Sequence, residues 1–301
     1  MQIVRTPGSA RAIARTLQRP VGFVPTMGAL HAGHVALVAR ARRENVSVAA
    51  SIFVNPLQFG PHEDFEKYPR AFERDCEILA ENGVDLLYAP SVERMYRPDF
   101  ATSIVVGPLG EAFEGARRPG HFAGVATVVT KLLHAIEPTS LYLGQKDVQQ
   151  TAVLRALVRD LDMATNVVVV PTVREPDGLA RSSRNVYLDA KERSAAPSIY
   201  RALTAIAAAI DAGETDPARA LAAGRGLLAE PLVWDYLAIV DPLTFAERAS
   251  PASLRYSVIV AVARARGVRL LDNLPIPSAD GVDPILTPPH ELPRSARTAR
   301  S

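Results

Sequence analysis

The chain holds one cysteine, Cys76, in 301 residues. An internal disulfide is therefore excluded, and the usage suits a reducing cytoplasm. Cys76 stands among Glu73, Arg74, Asp75 and Glu77, a setting for helix packing rather than thiol chemistry. No charge of one sign dominates. With 34 basic and 32 acidic residues the formal net charge is +2, far from the dense basic face that nucleic-acid binding requires. No apolar run approaches the roughly 18 residues of a membrane span. The first twenty residues carry Arg5, Arg11, Arg15 and Arg19 without an apolar core, so no signal peptide is expected. There is no internal repeat. What remains is 48% hydrophobic and 22% charged, the balance of a globular protein with room for one large domain or two ordinary ones.

The chain is organised around Val24-Pro25-Thr26-Met27-Gly28-Ala29-Leu30-His31-Ala32-Gly33-His34. Val21 to Val24 reads as a buried strand ended by Pro25, and Val35, Leu37, Val38 and Ala41 then recur at helical spacing. Two histidines thus stand where a strand turns into a helix. There the first N–H groups lack helical partners and the dipole end is positive, so an anion is favoured. Gly28 suits a tight turn, and Gly33 suits close approach of a ligand to the backbone.

Before this stretch, residues 9–18 predict an amphipathic helix capped by Ser9. After it, Val46 to Val54 reads as a strand buried on both faces, ending at Asn55-Pro56. Ligands of open parallel sheets bind beyond the carboxyl ends of strands, which places Asn55 and Gln58 among candidate site residues. A helix over 71–82, a strand over 84–88, irregular chain over 98–119 and a buried helix over 122–136 follow. Leu141 to Leu143 is a short strand running into Gly144-Gln145-Lys146-Asp147, with a helix from about Val148 and a last strand over 167–170. This alternation predicts an α/β fold with a five- or six-stranded parallel sheet.

Past Pro171 the texture changes. A polar, turn-rich stretch to Asn185 precedes Ala-rich helices over about 190–230 and strand-like runs at 237–240, 257–262 and 268–271. We divide the chain into a Rossmann-like domain at 1–172 and a smaller α+β domain at 173–276. A disordered tail is expected at 277–301, with prolines at 277, 284, 288, 289 and 293 and no periodicity. Lys146 and Arg184 as paired cations, with the hydroxyls of Ser182 and Ser183 and the two imidazoles, are what a nucleotide polyphosphate needs. Attack on its α-phosphorus builds charge that fixed donors stabilise. Asp147 can hold a ribose hydroxyl.

The blocks Val24 to His34, Ser51 to Phe59, Arg118 to Val125, Gly144 to Gln150 and Arg181 to Asn185 together resemble the pantoate–β-alanine ligase family. Lys67-Tyr68-Pro69-Arg70 and Leu270 to Asn273 resemble it too, and the likeness runs in order over about residues 20–275. It implies a nucleotide-binding domain of the His-x-Gly-His nucleotidylyltransferase type with a C-terminal lid, in a cytoplasmic homodimer. It also implies a two-step reaction: pantoate attacks the α-phosphorus of Mg2+·ATP to give pantoyl adenylate and pyrophosphate, then β-alanine displaces AMP. By resemblance, ATP is held by Met27, Gly28, Ala29, Leu30, His31, Ala32, Gly33 and His34, by Gly144, Gln145, Lys146 and Asp147, and by Val173, Arg181, Ser182, Ser183 and Arg184. His34, His31, Lys146 and Arg184 are the catalytic set, with His34 as proton donor. Gln58 and Gln150 grip pantoate, and Asn55, Tyr68, Arg118 and His121 complete the substrate pocket. Asp75 faces either magnesium or plain solvent.

Two positions depart from the family pattern. Arg181 replaces the usual Met or Leu before Ser-Ser-Arg, adding a cation beside a polyphosphate. Gln145 replaces the usual Glu, removing a charge next to Lys146. A nucleotidylyltransferase that keeps the nucleotide in its product, and a degenerate ATP-binding regulator, are the alternative functions. The Gln loops and the His121 block favour the ligase. Neither a nucleic-acid nor a membrane partner is expected.

Overall fold

The computed structural model describes residues 1–61, 63, 65–249 and 254–287. The chain divides into two compact units, one of Met1–Gly144 with Gln149–Val170, the other of Gln145–Val148 with Pro171 onward.

The first unit is a six-stranded parallel sheet with helices on both faces. Its elements run β1 (Gln2–Val4), α1 (Pro7–Ala14), β2 (Val21–Thr26), α2 (Ala32–Glu44), β3 (Ser47–Ile52), α3 (Phe72–Glu81), β4 (Leu86–Tyr88), α4 (Val92–Met95), α5 (Glu114–Arg117), α6 (His121–Ile136), β5 (Ser140–Gly144), α7 (Val148–Asp160) and β6 (Asn166–Val170). The order across the sheet is β1-β4-β3-β2-β5-β6, with every pairing parallel. The two-residue period of a strand sorts the core into two layers. Phe23, Ala49, Leu141 and Leu143 pack with α1 and α6, while Val24, Val48, Ala50 and Tyr142 pack with α2 and α3.

From β2 the chain moves to β3 on one side; from β4 it crosses β2 to reach β5 on the other. The connections of β2 and β5 therefore leave in opposite directions, which makes the carboxyl ends of this adjacent pair the switch point where such sheets bind ligands. β2 ends at Thr26, next to Met27, and β5 ends at Gly144.

Two local expectations are corrected and one strand is added. The first helix starts at Pro7, not residue 9, because Thr6 is its cap: Thr6 Oγ1 accepts the Ser9 N–H at 3.2 Å. Pro7 has no N–H to lose at that position and its fixed φ suits the first turn. β1 is unforeseen because three residues carry no readable period. The stretch 98–119 is not wholly irregular, since it contains α5.

The second unit carries α8 (Ala190–Ala195), α9 (Ser198–Asp211), α10 (Pro217–Arg225) and a three-stranded antiparallel sheet, β7 (Val233–Val240), β8 (Ser257–Arg264) and β9 (Arg269–Ile276). Ile199, Leu203, Ile206 and Ile210 lie three and four residues apart on α9. They pack with Leu237, Ile239, Ile259 and Leu270 of the sheet. Of the expected tail, residues 277–287 are described, with Ile285 2% exposed; residues 288–301 lie outside the described residues. No described helix is long and apolar enough to cross a membrane.

Candidate functional site

The turn after β2 is built from the inside outward. Thr26 Oγ1 donates to the Ser51 carbonyl at 2.7 Å and accepts the Gly28 N–H at 3.2 Å. Ala29 follows with φ of 51°, a left-handed conformation that an alanine adopts only when its surroundings impose it. Asp75 of α3 supplies the imposition. Its Oδ2 accepts the Ala29 N–H at 2.8 Å and its Oδ1 the Leu30 N–H at 2.9 Å. Asp75 is 2% exposed, so it is not a solvated member of a charged helix face. It is the anchor of the histidine turn, and both its oxygens face backbone donors.

At the start of α2 the histidines cap each other's helix end. His31 Nδ1 accepts the Gly33 N–H at 3.1 Å, and His34 Nδ1 accepts the His31 N–H at 3.3 Å. The ring centroids lie 4.2 Å apart. A neutral imidazole whose Nδ1 accepts carries its proton on Nε2. Both rings are thereby fixed as Nε2–H donors at the positive end of a thirteen-residue helix. Gly33 has a reason other than ligand approach: a Cβ there would stand 2.8 Å from His31 Cε1, so only glycine leaves space for the His31 ring to fold over the helix end.

The loop after β3 holds Gln58 at both ends. Asn55 Nδ2 donates to Gln58 Oε1 at 3.1 Å and to the Gly124 carbonyl at 3.1 Å, while Asn55 Oδ1 accepts from Tyr96 Oη at 2.7 Å. Gln58 Nε2 in turn points at Met27 Sδ, 3.1 Å away. Asn55 is thus a bracket for Gln58. Helix α6 approaches this loop so closely that a Cβ on Gly124 would lie 2.3 Å from the Leu57 carbonyl oxygen. Tyr68 is buried edge-on against Phe59, and Phe59 meets Phe65 in the same way.

His121 and Arg118 grip the other end. The Gln58 carbonyl receives His121 Nδ1 at 2.9 Å and Arg118 Nη2 at 3.2 Å. With Nδ1–H donating there, His121 Nε2 is the acceptor for Arg118 Nη1 at 3.1 Å. Arg118 is also paired with Glu63, through Nε at 2.8 Å and Nη2 at 2.6 Å. Burial, reinforced by the neighbouring guanidinium, pulls the His121 imidazole down to about 4 from its usual 6.5. The unfolded chain therefore binds the extra proton between pH 6.5 and 4, and the folded chain does not. The contribution of neutral His121 to stability is complete above pH 6.5 and is lost as pH falls through that window, by on the order of 3 kcal/mol in total. Urea unfolding between pH 4 and 7 should show this slope, and His121→Asn should flatten it; an unchanged slope would overturn the assignment.

Gln149 and Gln150 of α7 differ. Gln149 is buried and donates to the carbonyls of Leu109 and Ala112, whereas Gln150, expected at pantoate, is half-buried with no hydrogen bond to another described side chain.

In the second unit, Gln145, Lys146 and Asp147 form one tight turn. Lys146 Nζ lies 3.6 Å from Asp147 Oδ1. Asn273 Nδ2 donates to the carbonyls of both Gln145 and Lys146 at 2.9 Å, and Gln145 Nε2 donates to Asn273 Oδ1 at 3.1 Å. The residue that departs from the family pattern is thus matched to Asn273. Val173 accepts the Arg181 N–H through its carbonyl at 2.9 Å. Ser182 caps the turn Ser183–Tyr187, accepting the Arg184 N–H at 3.3 Å. Arg181 is not a spare cation: its Nη2 is 2.9 Å from Glu175 Oε2. Its charge is compensated within the hairpin, which explains how an arginine is accommodated there.

Sequence reasoning gave no role to Glu63, Arg174, Asp272 or Asn273. For Asp272 and Asn273 the available signals were the likeness of Leu270 to Asn273 to the family and two consecutive polar residues inside an apolar strand, Leu270-Leu271-Asp272-Asn273-Leu274. For a metal the donor set is poor. No group of three or more His, Cys, Asp or Glu side chains that could hold an ion exists among the described residues, and Asp75 is occupied by the turn.

A family model described as pantoate-beta-alanine ligase matches residues 2–275. A pantothenate synthetase of Chloroflexus aurantiacus is 52% identical over 275 residues, covering 91% of this chain and 97% of that protein. The crystal structure of pantothenate synthetase from Thermus thermophilus superposes with a TM-score of 0.86 at 51% identity, covering 91% of this chain and 99% of that one. Pantoate-beta-alanine ligase from Francisella tularensis, complexed with beta-gamma ATP and beta-alanine, matches with a TM-score of 0.73 at 33% identity, over 91% and 97% of the two chains.

Proposed function

Since the chain belongs to the pantoate–β-alanine ligase family, we propose that its histidine turn binds ATP and Gln58 and Gln150 hold pantoate, and that Lys146, Ser182, Ser183 and Arg184 of the second unit bind polyphosphate. The enzyme joins pantoate to β-alanine with ATP through a pantoyl adenylate. A free carboxylate is a poor electrophile with no good leaving group. Its oxygen therefore attacks the α-phosphorus and expels pyrophosphate. The β-alanine nitrogen then attacks the activated acyl carbon, loses a proton and expels AMP.

The observation that carries the site assignment is the pair of Nε2–H donors fixed by the cap of α2. Donors set in place before reaction stabilise charge that grows on phosphate oxygens without reorganising. His34 is assigned as the donor at the reacting phosphate, with His31 beside it. Lys146 and Arg184 neutralise the departing pyrophosphate, Asp147 takes a ribose hydroxyl, and Val173 meets adenine through its backbone. The Gln58 amide supplies donor and acceptor to pantoate without a buried charge, and Pro25, Met27 and Phe59 offer an apolar wall for its methyl groups. Magnesium is assigned to the phosphates of ATP rather than to Asp75. The lone cysteine supports a cytoplasmic setting, and family resemblance supports a homodimer.

The test separates the half-reactions. Pantoate and ATP alone should release about one equivalent of pyrophosphate per site, with AMP and pantothenate appearing only on addition of β-alanine. Pyrophosphate release that ignores pantoate, or a product that retains the nucleotide, would overturn the proposal.

A further inference from the structure

Two side chains in β9 have no part in the chemistry just described, yet they are among the most completely buried polar groups of the second unit. Asp272 and Asn273 are 5% and 1% exposed, and buried polar groups cost stability unless their bonding capacity is met. Both are fully engaged, in two different directions.

Asp272 receives Arg174 through two parallel bonds, Nη1 to Oδ2 at 2.6 Å and Nη2 to Oδ1 at 2.9 Å. Its Oδ1 also accepts the Asn273 N–H at 2.8 Å. The Arg174 guanidinium donates to the Gly178 carbonyl at 3.0 Å and stacks 3.7 Å from the centre of the Tyr200 ring. Arg174 is itself bridged to Ala180 in an antiparallel pair, and the Arg181 N–H closes on the Val173 carbonyl. The arm that leaves this hairpin is Ser182-Ser183-Arg184. Fixing Arg174 therefore fixes where that arm departs.

Asn273 holds the turn that carries Lys146. Its two Nδ2 protons go to the carbonyls of Gln145 and Lys146, which leaves Oδ1 as an acceptor that the Gln145 amide fills. Three hydrogen bonds from one side chain hold the turn whose middle residue is Lys146.

We propose that Asp272 and Asn273 are a positioning pair for the two cationic arms. Asn273 sets the Lys146 turn, and Asp272, acting through Arg174, sets the hairpin that delivers Arg184. Neither touches substrate. One strand thereby coordinates two arms that are far apart in sequence, so that both cations keep a fixed spacing. The inference rests on Lys146 and Arg184 being the phosphate-holding cations.

The test is a double-mutant cycle on the full-length enzyme. Asn273→Asp is isosteric but places an acceptor against two carbonyls. It should slow pantoate-dependent pyrophosphate release by about 10- to 100-fold, as displacement of a reacting group on the ångström scale does, while the KM for pantoate stays within about twofold. In a Lys146→Ala background the same change should add less than about twofold, because the residue it positions is gone. Arg174→Lys, which retains charge but loses the paired bonds and the stack, provides the second arm, in a cycle with Arg184→Ala. It remains informative if Asn273→Asp does not fold. Independent, multiplying losses in either cycle would overturn the positioning role, as would full activity in Asn273→Asp or Arg174→Lys. Full activity in Lys146→Ala and Arg184→Ala would instead overturn the assignment of the cations.

Discussion

His34→Ala should reduce the rate of the pyrophosphate burst by about 30- to 1,000-fold, equivalent to roughly 2–4 kcal/mol of transition-state stabilisation. The basis is the direction of one proton. His34 Nδ1 is occupied by the His31 N–H, so its remaining donor is Nε2–H, held at the helix end where phosphate charge is favoured. The substitution also removes half of the cap, which accounts for about 1 kcal/mol of stability. Urea unfolding measures that part separately. A rate loss no larger than the stability loss would reduce His34 to a capping residue, and an unaltered burst would remove its catalytic role.

Asp75→Ala should destabilise the protein by about 3–5 kcal/mol and lower adenylation with it. The carboxylate receives two backbone N–H groups at 2.8 and 2.9 Å, and bonds to a charged acceptor are the stronger kind, at about 1.5–3 kcal/mol each. Removing it leaves two donors unsatisfied beside a left-handed alanine. Unfolding free energy and ATP affinity should fall together. In Asp75→Asn one acceptor survives, so the loss should be intermediate and the magnesium requirement unchanged. An intact fold in Asp75→Ala combined with a raised magnesium requirement would restore the metal assignment.

The sheet was legible because its strands alternate between two apolar layers, as Phe23 and Val24 do on β2. The histidine turn was legible because strand, proline, glycine and helix follow one another within about a dozen residues. The role of Asp75 was not. It stands among Glu73, Arg74 and Glu77 with the helical setting of a solvated face, and what selects it is a turn 46 positions earlier. The partner of Arg181, Glu175, stands only six residues earlier, yet it is the hairpin that sets the two side chains opposite each other. Asn55, expected at the substrate, is engaged by Tyr96 from 41 residues away. Local patterns declare which residues are polar; the Ala29 N–H that Asp75 meets and the Tyr96 hydroxyl that Asn55 meets lie 46 and 41 residues away, outside any short window of sequence.

The close approach of α6 to the loop after β3 separates two neighbouring kinds of position. What α6 meets is the Leu57 carbonyl rather than its side chain, which is 42% exposed. Residue 57 is therefore open to drift, since every amino acid brings the same main-chain oxygen. Position 124 is closed to it, because even a methyl group would collide with that oxygen and displace the Gln58 bracket. Over evolutionary time the pair should record this asymmetry, with variety accumulating on the loop and none on the helix.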